Sequence, residues 1–307
     1  MHLAPTEHAV DGPIVVEAVR GDVVEARHRI HAVAVQGTEV VLSAGAPGLV
    51  TLLRSSAKPF QVLPLVRLRP DLRDAEIAIA CSSHVAGPEQ LAAVRSLLAR
   101  ADASEDDLEC GTAGEPPSAL RQMCSGKHAA MLLACRERGW PFEGYRLPDH
   151  PVQEAYLREI AGAVDRPAED IPLAVDGCGV PTFALALREM ALAFSRLRSL
   201  DGGPRVATAM RAHPELLRGP VEADALLARS LDGWVAKGGA EGLLGASSPE
   251  GIGLVLKVED GSFRALLPAL AEALRRLGID PGGLGRVPVE SSRGETVGEL
   301  RVTRPAN

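Results

Sequence analysis

The pattern of apolar and polar positions divides the chain into β-rich ends and a helical middle. From Ile14 to Leu42, valine-rich runs alternate with the turns Gly21-Asp22 and Gly37-Thr38. β-Branched runs bounded by such turns are typical of hairpin strands, so we predict an antiparallel meander. The β signature returns after Trp234, where we predict strands at 252–258, 263–266 and 299–303.

The middle of the chain has the three- and four-residue spacing of amphipathic helices. Predicted helices cover 55–68, 88–100, 118–138, 150–164, 182–197 and 205–213, and a late one covers 268–277. The short apolar segment at 76–80 fits either a strand or a buried helix. Strands at both ends with helices between them predict an α+β fold, in which one antiparallel sheet receives a helical insertion. We expect a single domain over 1–307, with a sheet lobe at about 10–54 and 232–304 and a helical lobe at about 55–231.

Composition excludes several classes of protein. The 307 residues are 46% hydrophobic with a net charge of −7 and no Lys/Arg-rich run, which argues against nucleic-acid binding. No run of 18 apolar residues is present, so we expect no membrane span. Met1 to Pro13 lacks the apolar core of a signal peptide. The five cysteines cannot all pair with one another in disulfides, because their number is odd. Reduced thiols and a cytoplasmic location are therefore expected.

Lysine is scarce and clustered, which draws attention to Ser55 and Lys58. Of 33 Lys+Arg residues only four are lysine, and three of these lie in small-residue settings: Lys58, Lys127 and Lys237. Unlike arginine, a buried lysine can lose its proton and act as a base or a ligand. If a helix begins near Ser55, that hydroxyl and Lys58 share one face, as an activated serine requires. A simple helix cap is the alternative reading of this serine.

A second constellation suits a metal ion. Cys124 and Lys127 are three residues apart at a predicted helix start, and Cys178 follows a predicted strand. Two thiolates and a nitrogen are ligands that zinc accepts, although lysine must first shed its proton. Buried, inert thiols are the alternative.

Two further motifs have both a functional and a structural interpretation. Cys81-Ser82-Ser83-His84 follows an apolar segment, either as a catalytic turn or as a capped loop. Lys237-Gly238-Gly239 begins the second β region, where its glycines would allow close approach of a ligand or simply form a turn.

Five motifs, in this order, resemble those of the asparaginase II family of the Rhizobium etli inducible type. They are Arg54 to Gln61, Cys81 to His84, Cys124 to His128, Asp176 to Pro181 and Lys237 to Gly242. The resemblance runs from about residue 14 to 304. That family is similar in fold to the serine β-lactamases and glutaminases.

The resemblance implies specific roles for matching residues. Ser55 is implied as the nucleophile with Lys58 as its base, and Ser83 with Lys237 as a second Ser–Lys pair. It further implies a zinc ion on Cys124, Lys127 and Cys178, substrate-pocket roles for Asp176, His128 and His84, and a homodimer. The Ser-x-Asn motif of β-lactamases is impossible, because the only asparagine is Asn307.

The expected function is that of a cytoplasmic amidohydrolase that converts L-asparagine to L-aspartate and ammonia through an acyl-enzyme. Two alternatives stay open. One is a serine amidase of related fold that acts on glutamine or another small amide. The other is a non-catalytic protein that binds zinc or senses amino acids.

Overall fold

The computed structural model describes residues 11–303 of the chain. Its strands are Ile14–Arg20 (β1), Val23–Gln36 (β2), Glu39–Ala44 (β3), Val50–Leu52 (β4), Leu173–Val175 (β5), Pro181–Ala186 (β6), Val235–Gly238 (β7), Leu243–Ser247 (β8), Ile252–Val258 (β9), Val287–Glu290 (β10) and Thr296–Val302 (β11). Its α-helices are Lys58–Gln61 (α1), Leu63–Leu68 (α2), Asp74–Ala80 (α3), Pro88–Ala101 (α4), Ser125–Arg138 (α5), Pro151–Val164 (α6), Leu187–Arg196 (α7), Gly203–Ala212 (α8), Pro214–Leu217 (α9), Ala223–Ser230 (α10) and Leu266–Arg276 (α11). The predicted segment before residue 11, and the lobe ends at 10 and 304, lie outside the described residues.

The main sheet joins the two β-rich regions of the sequence. Its strand order is β10-β11-β1-β2-β9-β8-β7, with β3 also paired to β2, and its pairings are antiparallel. The first half of β2 pairs with β1, and the second half pairs with β3 and β9. A sheet built from residues before 45 and after 234, with helices from the intervening chain, confirms the predicted α+β class.

Alternation along β2 explains why the sheet is covered on both faces. Ala32 and Ala34 belong to the core beneath α11, whereas Val33 and Val35 belong to the core shared with the helical segment. Because successive side chains of a strand point to opposite faces, one run of small apolar residues serves both cores. The result is a layered arrangement of α11, the sheet and α7.

Glycines let α7 approach the sheet closely. A Cβ atom on Gly245 would lie 1.9 Å from the ring of Phe194, and one on Gly253 would lie 2.0 Å from the carbonyl oxygen of Ala191. Neither position tolerates a side chain without displacing the helix.

Several predicted elements are corrected by the structure. The helix predicted at 182–197 divides into strand β6, which pairs with β4 and β5 in a small second sheet, and helix α7. The strand predicted at 263–266 is a 3-10 turn that leads into α11. The helix predicted from residue 118 begins at Ser125, and the ambiguous segment at 76–80 is helix α3.

None of the described helices is both long enough and apolar enough to cross a membrane. All five cysteines carry free thiols and are buried.

Candidate active site

One cavity collects most of the sequence motifs. It has a volume of about 840 Å³ and is lined by Arg54, Ser55, Ser83 to Ala86, Leu91, Thr112 to Gly114, Arg121 to Cys124, Asp176 to Cys178, Arg218, Gly238 to Ala240 and Phe263. Six predicted site residues are on its wall: Ser55, Ser83, His84, Cys124, Asp176 and Cys178. The three lysines Lys58, Lys127 and Lys237 are buried behind this wall.

Ser55 lies in a 3-10 turn, Arg54–Ala57, that connects β4 to α1. The turn begins with Arg54 at φ 49°, a left-handed conformation that a residue other than glycine adopts at some cost. Thr182 Oγ1 holds it by accepting the Arg54 backbone N–H at 2.9 Å, and Ser56 Oγ donates to the Lys237 carbonyl at 2.8 Å. These contacts fix the half-buried Ser55 in the cavity wall between β6 and β7.

Lys58 extends to Ser83 in this structure. Its Nζ donates to Ser83 Oγ at 3.0 Å, to Cys124 Sγ at 3.3 Å and to the Ser82 carbonyl. Within residues 11–303, no hydrogen bond joins Lys58 to Ser55. The hydroxyl–amine contact that the sequence predicts for Ser55 is therefore made by Ser83, which follows α3.

Lys237, predicted as the partner of Ser83, is instead paired with Asp224. Its Nζ lies 3.1 Å from Asp224 Oδ2 and donates to the Gly238 carbonyl at 2.7 Å. Burial lowers the pKa of Lys237 to about 8, because removal from water outweighs the attraction of Asp224. Asp224 keeps a pKa below its usual value, since Lys237, the Gly238 N–H and Arg218 together outweigh its burial.

The predicted metal ligands Cys124, Lys127 and Cys178 converge beside the cavity. Lys127 Nζ lies 3.1 Å from Cys178 Sγ, and both sulfur atoms are almost fully buried. Contact with Cys178, aided by the charges of Lys58 and Lys127, lowers the pKa of the Cys124 thiol well below its usual value despite burial. The same contact, together with burial, raises the pKa of the Cys178 thiol. Because cysteine binds metal ions as the thiolate, a metal ion at this point would have to displace that proton.

The donor set fits a zinc ion by its chemistry. Two sulfur atoms and one nitrogen are brought to one place, and thiolate with nitrogen is the ligand type that zinc prefers. In the described part of the chain, no group of three His, Cys, Asp or Glu side chains is placed to hold a metal ion. The predicted set contains only two such side chains, so its third ligand depends on neutral Lys127. Burial favours the neutral amine, but Cys178, Cys124 and Asp176 outweigh it and raise the pKa of Lys127, so the metal ion would have to displace a proton here as well.

Asp176 is held as a carboxylate on the cavity wall. Arg54 Nε donates to its Oδ1 at 2.6 Å, and the Gly177 backbone N–H donates at 2.7 Å. Burial opposes ionisation, but Lys127 and Arg54 together keep the pKa of Asp176 below its usual value. An anionic oxygen here is able to bind a cationic group that enters the cavity.

The two predicted pocket histidines differ in position. His84 lines the cavity, where its Nδ1 accepts the Ala86 N–H at 3.1 Å, so that Nε2–H donates to Ser125 Oγ at 2.8 Å. Burial and Lys58 lower its pKa to about 4. Neutral His84 thus has no free lone pair for proton transfer. His128 is fully buried away from the wall, with Nδ1 2.7 Å from the Tyr145 hydroxyl.

Sequence reasoning missed three charged residues of this site. Arg54 pairs with Asp176, Asp224 pairs with Lys237, and Arg218 lines the cavity beside Gly238. Arg54 belonged to a recognised motif, and its neighbour Ser55 could have drawn attention to it. Asp224 and Arg218 lie in a segment without a motif, so spacing gave no signal for them.

Comparisons with known proteins agree with this assembly of motifs. The model of the family described as L-asparaginase II matches residues 16–302. A search among curated proteins gives no significant match.

Similar solved structures are distant in sequence. The protein Mglu in its native form at 4.3 M NaCl is 14% identical, with a TM-score of 0.40 over 82% of this chain and 62% of Mglu, so the chain spans less than two thirds of that protein. A β-lactamase from Sphaerobacter thermophilus is 13% identical, with a TM-score of 0.40 over 81% of this chain and 89% of its own. A β-lactamase from Mycobacterium bovis is 17% identical, with a TM-score of 0.33 over 80% and 93%.

Proposed function

Because the chain belongs to the L-asparaginase II family, which indicates an asparaginase-type amidohydrolase, we propose that it converts L-asparagine to L-aspartate and ammonia. One observation carries the proposal. Ser55 and Ser83 line the same cavity, and Ser83 Oγ is 3.0 Å from the amine of Lys58. Among the described residues, one cavity wall thus carries an unbonded hydroxyl and a second hydroxyl that contacts an amine, which are groups that acyl transfer can use.

The proposed nucleophile is Ser55. Its side chain is half-buried and forms no hydrogen bond within residues 11–303, whereas the Ser83 hydroxyl is buried and already bonded to Lys58. Ser55 Oγ attacks the side-chain amide carbon, and its proton passes through the Ser83 hydroxyl to Lys58, which in this step is the free amine and accepts the Ser83 proton instead of donating to it. The same route returns the proton to the departing nitrogen, so that the C–N bond breaks and ammonia leaves. Water then attacks the ester and restores Ser55.

In this scheme Lys58, rather than Lys237, exchanges protons with Ser83. Lys237 is bonded to Asp224 and to the Gly238 carbonyl, and its own carbonyl receives Ser56. Its proposed role is to fix β7 against the turn that carries Ser55. Asp176 is the proposed partner of the substrate ammonium group.

Cys124, Lys127 and Cys178 are the residues that would hold a zinc ion. When bound, zinc would supply a fixed positive charge at the cavity wall, where two thiolates reduce its power to activate water. We therefore propose that it shapes the pocket and leaves the attack to Ser55. Elemental analysis should find about one zinc per chain in wild type and none in Cys124→Ser, and equal metal content in both would contradict this site. Cytoplasmic location and a homodimer stay predictions.

The test is ammonia release from L-asparagine and, separately, from L-glutamine. Ser55→Ala should lower kcat by at least about 10⁴-fold, as loss of a nucleophile does, and Ser83→Ala by about 10²- to 10⁴-fold, as loss of a proton-transfer group does. Ser199→Ala removes an exposed hydroxyl bonded only to the Arg196 carbonyl and is the matched control. Ser55→Ala within tenfold of wild type would refute the mechanism, and release from glutamine alone would change the substrate.

A further inference from the structure

Arg218 places a guanidinium on the cavity wall near the carboxylates of Asp224 and Glu222, without a hydrogen bond to either. It follows α9, and its side chain is 19% exposed. Within residues 11–303 this guanidinium forms no hydrogen bond, and its nearest carboxylate oxygen is Glu222 Oε2 at 3.9 Å. A partly buried cation with free N–H donors is able to bind an anion that enters the cavity.

One contact and one open space position the Arg218 guanidinium. Its central carbon lies 4.7 Å from the ring centroid of Phe263, a stacking arrangement that arginine favours. A Cβ atom on Gly238 would be 3.2 Å from Arg218 Nη1, so the absence of a side chain there leaves the guanidinium room beside β7. The planar fork is thus preorganised next to the residue that follows Lys237.

The other two arginines of the cavity wall are already engaged. Arg54 Nε is 2.6 Å from Asp176 Oδ1. Arg121 Nη1 donates to the carbonyl oxygen of Glu115 at 2.7 Å. Arg218 is therefore the arginine of this wall whose fork is free to receive a carboxylate.

We propose that Arg218 is a specificity-determining residue that binds the α-carboxylate of the substrate through two parallel N–H bonds. The inference rests on the proposed amidase function and deepens it. L-Asparagine carries an ammonium group and a carboxylate on one carbon. With Asp176 receiving the ammonium and Arg218 the carboxylate, the side-chain amide is the part left to face Ser55. A substrate without an α-carboxylate cannot form these hydrogen bonds with Arg218.

The test compares two amides that differ only in that carboxylate: L-asparagine and 3-aminopropanamide. Arg218→Gln should raise the KM for L-asparagine about 10- to 100-fold, the range expected when charge-assisted hydrogen bonds are lost, and leave kcat within about threefold. Its kcat/KM for 3-aminopropanamide should equal that of wild type. Arg218→Lys keeps the charge without the fork and should fall between the two.

Arg211→Gln is the matched control, because Arg211 is 49% exposed on α8 and pairs with Asp232 at the surface. It should leave both substrates unchanged. An equal loss of kcat/KM for both amides in Arg218→Gln, or no loss for L-asparagine, would overturn the proposal.

Calorimetry separates this proposal from the proposed function. L-Aspartate and β-alanine, which lacks the α-carboxylate, are titrated into wild type and Arg218→Gln. If wild type releases no ammonia from L-asparagine, the amidase proposal fails, yet weaker L-aspartate binding in Arg218→Gln with unchanged β-alanine binding still supports the carboxylate site. Equal L-aspartate affinity in both proteins, or no binding to wild type, rejects it.

Discussion

Replacing Gly126 with alanine tests how tightly two helices hold the active site together. Gly126 lies in the first turn of α5, between Cys124 and Lys127. A Cβ atom there would be 2.2 Å from the carbonyl oxygen of Ile79 in α3. The obstacle is backbone, so it cannot move aside as a flexible side chain can.

The size of the effect follows from that distance. Real Cβ contacts are essentially never under 3.0 Å, so the two helices must separate by about 0.8 Å or more. Overpacking of this kind costs about 3 kcal/mol, against which the better helix propensity of alanine returns about 1 kcal/mol. The expected net loss of unfolding free energy is about 2 kcal/mol. Displacement of Ser83, which follows α3, relative to Cys124 should also lower kcat about 10²-fold.

Gly162→Ala is the control, because it adds the same methyl group to a helix at a position where that group meets no neighbouring backbone. It is exposed in α6, and a Cβ atom on it would meet nothing within 4 Å. Gly162→Ala should raise the unfolding free energy by about 0.5–1 kcal/mol and leave ammonia release unchanged. Urea unfolding and initial-rate assays measure both variants. If Gly126→Ala is as stable and as active as Gly162→Ala, the close approach of α3 and α5 is refuted.

Three further predictions concern buried polar groups. Asp224→Ala should cost about 3–5 kcal/mol of unfolding free energy, because it leaves Lys237 buried without its carboxylate; a loss in urea unfolding under 1 kcal/mol would contradict the pairing. Burial lowers the pKa of His84 from 6.5 to about 4. As the pH falls through that interval, the imidazole binds a proton in the unfolded chain but not in the folded protein, so the unfolding free energy falls by about 3 kcal/mol. His84→Gln should flatten the pH dependence measured by urea unfolding between pH 7 and 4, and an unchanged slope would exclude the assignment. Thr182→Val leaves the N–H of Arg54 unpaired and should cost about 1–3 kcal/mol in the same assay, where a neutral result would contradict the bond.

The pattern of apolar and polar residues predicted the strands that alternate between an apolar and a polar face, or that are bounded by glycine turns. The hairpins of β1, β2 and β3 are separated by glycine turns, and their valine-rich runs identify them. Strand β7, Val235–Gly238, is buried on both faces and contains Lys237 and glycine, so it resembles a turn in sequence. Strand β6 is apolar except for Thr182 and runs directly into α7, so the sequence pattern does not separate the two from one helix.

The site was predictable as a set of residues but less so as a set of contacts. Spacing places Ser55 and Lys58 one turn apart, which fixes where their Cβ atoms point. It does not fix where the end of a four-carbon side chain lies, and Lys58 extends inward to Ser83 and Cys124. Asp224 was not predictable for a related reason. Its partner Lys237 lies 13 residues further along the chain, outside the three- and four-residue spacing of a helix face, and the packing of α10 on β7 brings the two together.

The main sheet also determines the order in which this protein can become active during folding. Ile30 pairs with Val258, and Val16 pairs with Val302, so the central strands close loops that enclose the entire helical segment. Contacts between such distant residues form slowly, because the entropy of loop closure is lost before the pairing compensates for it. Ser55, Ser83 and Cys124 all lie within that enclosed segment, whereas β7 joins the sheet through β8 and β9. In refolding experiments, helical circular dichroism should therefore recover before ammonia release does.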